Sequence, residues 1–143
     1  MEELKDKISE TLFRKKYLEN IEEILDLKLI NVIIWPRRVG KSYFLYSVLK
    51  YLLNEKKIDF SQIFYVNKEW REFDEILDYK DLQNLFEKQK IDKNKTFFVG
   101  LDEVQEIEVW EKFVLDISIY AHYVLYTLCL IIKINLHFIY LPV

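Results

Sequence analysis

Trp35-Pro36-Arg37-Arg38-Val39-Gly40-Lys41-Ser42 is the stretch whose reading decides the fold. Seven of its eight positions satisfy G-x-x-x-x-G-K-[ST], the phosphate-binding loop, and the exception is the first, where Trp35 stands in place of glycine. Before it runs Leu29-Ile30-Asn31-Val32-Ile33-Ile34, nearly unbroken, apolar and rich in β-branched residues. Such a run suits a strand buried on both faces of a parallel sheet. After it, Leu45, Val48, Leu49, Leu52 and Leu53 form an apolar stripe of helical period over residues 42–54. A loop that ends at a helix N-terminus turns consecutive backbone N–H groups inward, where they and the helix dipole bind phosphate oxygens. Gly40 lets that backbone approach closely, Lys41 reaches the β and γ phosphates, and the Ser42 hydroxyl takes Mg²⁺. A nucleotide is therefore the expected partner.

Working outward, the strand-helix pattern repeats. Gln62-Ile63-Phe64-Tyr65-Val66 reads as a second strand, and residues 81–89, with Leu82, Leu85 and Phe86, as a second helix. Asp92-Lys93-Asn94-Lys95 is a polar linker. Thr96-Phe97-Phe98-Val99-Gly100-Leu101 is a third strand, closed by Asp102-Glu103 in the form of a Walker B element. In that form Asp102 holds Mg²⁺ while Glu103, the candidate catalytic residue, orients or deprotonates the attacking water. At the N-terminus, Leu4, Ile8, Leu12, Tyr17, Ile21, Ile24 and Leu25 predict one or two amphipathic helices. The fold class is α/β, a parallel sheet of P-loop NTPase type flanked by helices. The chain contains only 2 glycines, and one falls in each motif, so each is expected to meet a backbone need.

These stretches carry a resemblance. Val32 through Ser42, then Phe64-Tyr65-Val66-Asn67, Leu101-Asp102-Glu103-Val104-Gln105 and Trp110-Glu111 resemble the AAA+-type P-loop ATPases whose loop reads GPRRVGKT and whose Walker B strand reads LDEIQ. That group is common in archaea and bacteria and often carries a nuclease-like C-terminal domain. The resemblance covers about residues 14–116 and implies ATP as the nucleotide, with Mg²⁺. It assigns Lys41, Ser42, Asp102 and Glu103 the roles given above, and adds backbone contacts to phosphate from Arg37, Arg38 and Val39.

Three departures bear on activity. Trp35 should distort the loop or turn its indole outward. The family's next strand, which ends in a polar sensor residue, should begin near Ser118, and the residues there do not match it. The only arginines are Arg14, Arg37, Arg38 and Arg71, which leaves no C-terminal arginine finger. Because such a finger contributes about 10³ to 10⁵ in rate, hydrolysis is expected to be weak or absent.

The 143 residues suit one small domain, and 51% hydrophobic content is enough for a core. Disorder, collagen-like repeats and a disulfide scaffold are excluded. A single cysteine, Cys129, and a charged N-terminus without a signal-peptide pattern point to a reducing, cytoplasmic setting. A net charge of -3 provides no general drive toward nucleic acid. The charges are unevenly placed: Lys133 is the one charge in residues 117–143. The chain therefore divides into a P-loop core, 1–116, and an apolar tail, 117–143, with the domain incomplete at its C-terminus. Tyr123 to Ile132 is apolar enough to fill the sheet slot between the Walker A and Walker B strands. Rival readings of the tail are a membrane-associated segment, since 117–141 is near the ~20 residues that cross a bilayer, and a truncated or frame-shifted reading frame. The matching alternative for the whole chain is a non-catalytic membrane-associated or interaction protein, or a gene remnant, that has lost nucleotide binding. His122 and His137 have no cysteine or carboxylate nearby in sequence and are expected to be incidental.

Overall fold

The computed structural model describes residues 1–12, 21–23, 25, 30–35, 40–119 and 123–129, with the backbone alone at 30–35, 41 and 123–129. Four parallel strands form one sheet: β1 (Ile30–Trp35), β2 (Ile63–Asn67), β3 (Phe98–Asp102) and β4 (Tyr123–Cys129), in the order β1-β4-β3-β2. The helices are α1 (Glu2–Glu10), α2 (Lys41–Asn54), α3 (Tyr79–Gln89) and α4 (Trp110–Ser118).

Alternation along the strands builds two cores, because successive side chains of a strand point to opposite faces. On one face Ile63, Tyr65 and Phe98 pack with Leu4 and Ile8 of α1 and with Leu45, Val48, Leu49 and Leu52 of α2. On the other, Phe64, Val66, Val99 and Leu101 pack with Leu82 and Phe86 of α3 and Phe113 and Val114 of α4. Every residue of β2 and β3 is buried, as the continuous apolar runs require of central parallel strands.

Local chemistry sets the helix ends. Asp78 accepts from the Lys80 and Asp81 backbone N–H groups while Asp81 accepts from the Leu77 and Asp78 N–H groups, a reciprocal cap. This starts α3 at Tyr79, two residues before the apolar spacing alone suggests. At the N-terminus, α1 stops at Glu10, and Leu12 is 76% exposed rather than part of an apolar stripe. The reason is tertiary: Lys50 of α2 donates to the Ser9 and Thr11 carbonyls, and the Tyr43 hydroxyl bonds both Leu12 backbone groups.

The tail holds the main surprise for a reading based on composition. The segment from Tyr123, read as apolar enough to fill the slot between the two motif strands, supplies β4, which pairs with β1 on one side and β3 on the other. Residues 123–129 are thus sheet, not part of a spanning helix, and Ile117 and Ser118 belong to α4. Among the described residues no helix is long and apolar enough to cross a membrane. His122, His137 and residues 130–143 lie outside the described residues.

Candidate functional site

Ser42, at the start of α2, and Asp102, the last residue of β3, meet at the carboxyl edge of the sheet, where open α/β sheets place their ligand crevices. Here β1 and β3 are separated by β4, so their ends lie two strand spacings apart, about 10 Å. The gap is bridged from α2. Ser42, in its first turn, donates from Oγ to Asp102 Oδ2 at 2.5 Å, although 60 residues separate them.

Gly40 makes the turn from strand to helix. Its φ of 90° and ψ of 28° lie in the left-handed region, which glycine enters without a Cβ clash. As the N-cap it has no side chain to engage the N–H groups of the first turn, and its carbonyl accepts from Phe44 N at 3.1 Å. Trp35 is the last residue of β1, its backbone extended and paired in register with Cys129. The position where the motif has its first glycine is strand here, so no left-handed turn is asked of Trp35. Arg37, Arg38, Val39 and the Lys41 side chain lie outside the described residues.

Asp102, the last residue of β3, is 1% exposed. Its Oδ2 also accepts from the Tyr65 hydroxyl and from Asn67 Nδ2, each at 3.3 Å. Burial, then the Asp102 charge, pushes the Tyr65 phenol well above the ordinary tyrosine range. Burial likewise raises Tyr46, against hydrogen bonding with Tyr65 that lowers it. Both hydroxyls therefore remain protonated at neutral pH. Asn67 also accepts from the Glu69 N–H through Oδ1, which fixes the orientation of its amide.

Glu103 leaves the sheet in the left-handed region, φ 54° and ψ 39°, and opens a 3-10 turn over Val104–Glu106. The residue is 8% exposed, and its carboxylate accepts from Gln105 Nε2 at 2.5 Å. The reversal of backbone handedness at this residue lets two adjacent acids serve different environments. Asp102 faces Ser42 and β2, while Glu103 is held within its own turn.

Of the residues singled out from sequence, Ser42 and Asp102 are brought together, and Gly40 has the backbone expected of it. Gly100 serves a different need from the one expected. It meets no positive-φ demand; instead a Cβ there would lie 2.7 Å from Phe98 Cε1 and 3.0 Å from Tyr65 Cδ2. Tyr65 and Asn67 received no role from the sequence. The available signal was two polar groups at alternate positions of an otherwise apolar strand, which puts both on one sheet face. Tyr46 also joins this buried polar group.

The comparisons with known proteins agree with this architecture. Residues 28–127 match the family model described as an AAA domain, a span that passes Asp116 and enters β4. The match thus extends beyond the 116-residue limit of the motif resemblance. A protein of Haemophilus influenzae, described as an uncharacterized protein, is 35% identical over 101 residues, covering 71% of this chain. The chain spans about a quarter (25%) of the length of that curated relative. With most of its length inside the family match, this chain belongs to the AAA domain family of P-loop, ATPase-like nucleotide-binding proteins.

Proposed function

We propose that this chain binds Mg-ATP between the N-terminus of α2 and the end of β3. The carrying observation is the 2.5 Å approach of Ser42 Oγ to Asp102 Oδ2 at the carboxyl edge of the sheet. A hydroxyl and a carboxylate are hard oxygen donors. Mg²⁺ typically takes one or two such protein oxygens and completes its shell with water and substrate phosphates. Ser42 and Asp102 would hold the ion, which when bound neutralises charge on the β and γ phosphates. The N–H groups from Gly40 onward, with Lys41, bind phosphate oxygens, and Arg37, Arg38 and Val39 contribute loop backbone.

Hydrolysis by this chain is weak. Glu103 is the base for the attacking water: it accepts the water proton as the new O–P bond forms and the bond to the leaving diphosphate breaks. Every arginine of this sequence precedes Asp102, so no arginine after the second motif stabilises charge on the leaving side. A partner that supplied an arginine would raise the rate by about 10³ to 10⁵.

Calorimetric titration of Mg-ATP into the purified chain tests the reading, with Lys41→Ala as control. Saturable binding in the wild type that disappears in the variant is the expected result. A folded wild-type sample, checked by circular dichroism, that gives no binding heat and no tryptophan fluorescence change would sink it.

A further inference from the structure

Asp102 is held by more than its motif partner. Three donors converge on one of its oxygens: Ser42 Oγ from α2, and the Tyr65 hydroxyl and Asn67 Nδ2 from β2. In the parallel register Tyr65 pairs with Gly100 and Asn67 with Asp102. Residues two apart on a strand share a face, so Tyr65, Asn67, Gly100 and Asp102 all lie on the face that packs against α2. Tyr65 is 2% exposed and Asn67 2%. At this depth an unmatched hydroxyl or amide is costly, so their convergence on one carboxylate oxygen is a specified arrangement.

The glycine explains how the tyrosine gets there. The Tyr65 ring lies so close over Gly100 that a Cβ would come to 3.0 Å of its Cδ2. A side chain at position 100 would therefore crowd the Tyr65 ring as well as the Phe98 ring, which a Cβ would approach to 2.7 Å. The Tyr65 ring is braced from its other sides by Tyr46, with centroids 6.1 Å apart, and by Trp70, at 5.5 Å. Tyr46 stands one helical turn after Ser42 on α2, so the same helix supplies the motif serine and a wall of the tyrosine's cage.

We infer that Tyr65 and Asn67 are positioning residues for the metal-binding carboxylate: they hold Asp102 in the orientation that Mg²⁺ requires, and Gly100 provides the clearance for Tyr65 to do so. This rests on the Mg-ATP reading above. Outer groups that hydrogen-bond a metal ligand typically control about 10- to 100-fold of metal affinity. Neither residue touches nucleotide in this scheme, so their effect falls on the metal and not on phosphate binding.

The test titrates Mg²⁺ into wild type, Tyr65→Phe and Asn67→Ser at fixed fluorescent methylanthraniloyl-ATP, then measures nucleotide affinity at saturating Mg²⁺ and the thermal midpoint of each. Tyr51→Phe is the control, since it removes a tyrosine hydroxyl that bonds Glu22 and lies away from Asp102. The expected result is about a tenfold rise in the Mg²⁺ concentration at half-saturation for Tyr65→Phe, with the same direction in Asn67→Ser. Nucleotide affinity at saturating Mg²⁺ stays within about twofold, and Tyr51→Phe leaves the Mg²⁺ dependence unchanged. A folded Tyr65→Phe with wild-type Mg²⁺ dependence overturns the inference and leaves the Mg-ATP reading standing; if that variant does not fold, an unchanged Asn67→Ser does the same. Equal shifts in Tyr65→Phe and Tyr51→Phe would reduce the effect to general loosening and overturn it too. A wild-type chain that binds no nucleotide overturns both.

Discussion

Replacing Gly100 with alanine measures how tightly the sheet is packed beneath the candidate site. The added Cβ would lie 2.7 Å from Phe98 Cε1, 3.0 Å from Tyr65 Cδ2 and 3.3 Å from Phe98 Cζ. Carbon atoms pack best at about 3.5–4.0 Å, so the overlap with Phe98 approaches 1 Å. Neither ring has space to retreat: Phe98 is 0% exposed, and Tyr65 is tied to Asp102. Overpacking of this kind costs about 1–3 kcal/mol. Against that, alanine restricts the unfolded chain and returns about 0.4–1 kcal/mol. The net expectation is a loss of about 1–2 kcal/mol, seen in urea unfolding followed by far-UV circular dichroism. Phe98→Leu removes the closest clash, so the double variant should lose less than the sum of the singles, with a coupling of at least about 0.5 kcal/mol. A Gly100→Ala chain within about 0.3 kcal/mol of wild type would refute the packing argument.

Other expectations follow from the same structure. Phe64, 1% exposed and ringed by Phe86 and Phe113, should cost about 3–5 kcal/mol as Phe64→Ala in the same urea assay. Val109 is β-branched, 58% exposed and has φ 53°, so Val109→Gly should relieve left-handed strain and raise the thermal midpoint, gaining under about 1 kcal/mol after glycine's own entropy cost. The Asp81 carboxylate is held below its ordinary range by the Leu77 and Asp78 N–H groups. A depressed acid contributes stability that is present above its unfolded pKa and lost as pH falls through its folded one. Asp81→Asn should therefore lower stability at neutral pH and flatten the acid limb below about pH 4, measured by thermal unfolding across pH.

Much of the fold was legible because the deciding signals are local. The signals for β1 and α2 lie within one stretch of sequence: an apolar β-branched run, a glycine able to take φ 90° and a helix with one apolar stripe. The turn from Asp102 to Glu103 follows a strand whose apolar run is equally plain. Helix starts were less legible, because Asp78 and Asp81 cap α3 through reciprocal backbone bonds that do not alter hydrophobic period. At the tail, the apolar run from Tyr123 left several readings open: a sheet strand, a membrane segment or a chance apolar stretch have the same composition, and the partners of β4 on both edges separate them.

The sequence by itself determined the class of the sheet, the left-handed backbone at Gly40 that starts α2 and the two acids that close β3, since each depends on residues within a few positions of one another. Only the tertiary structure decided among the readings of the tail, placing β4 between β1 and β3, and showed that Asp102 collects donors from Ser42, Tyr65 and Asn67. Those partners lie 60, 37 and 35 residues away in the chain. Strand order and register bring them to one oxygen, and hydrophobic period reveals which residues face inward but not which inward residues meet.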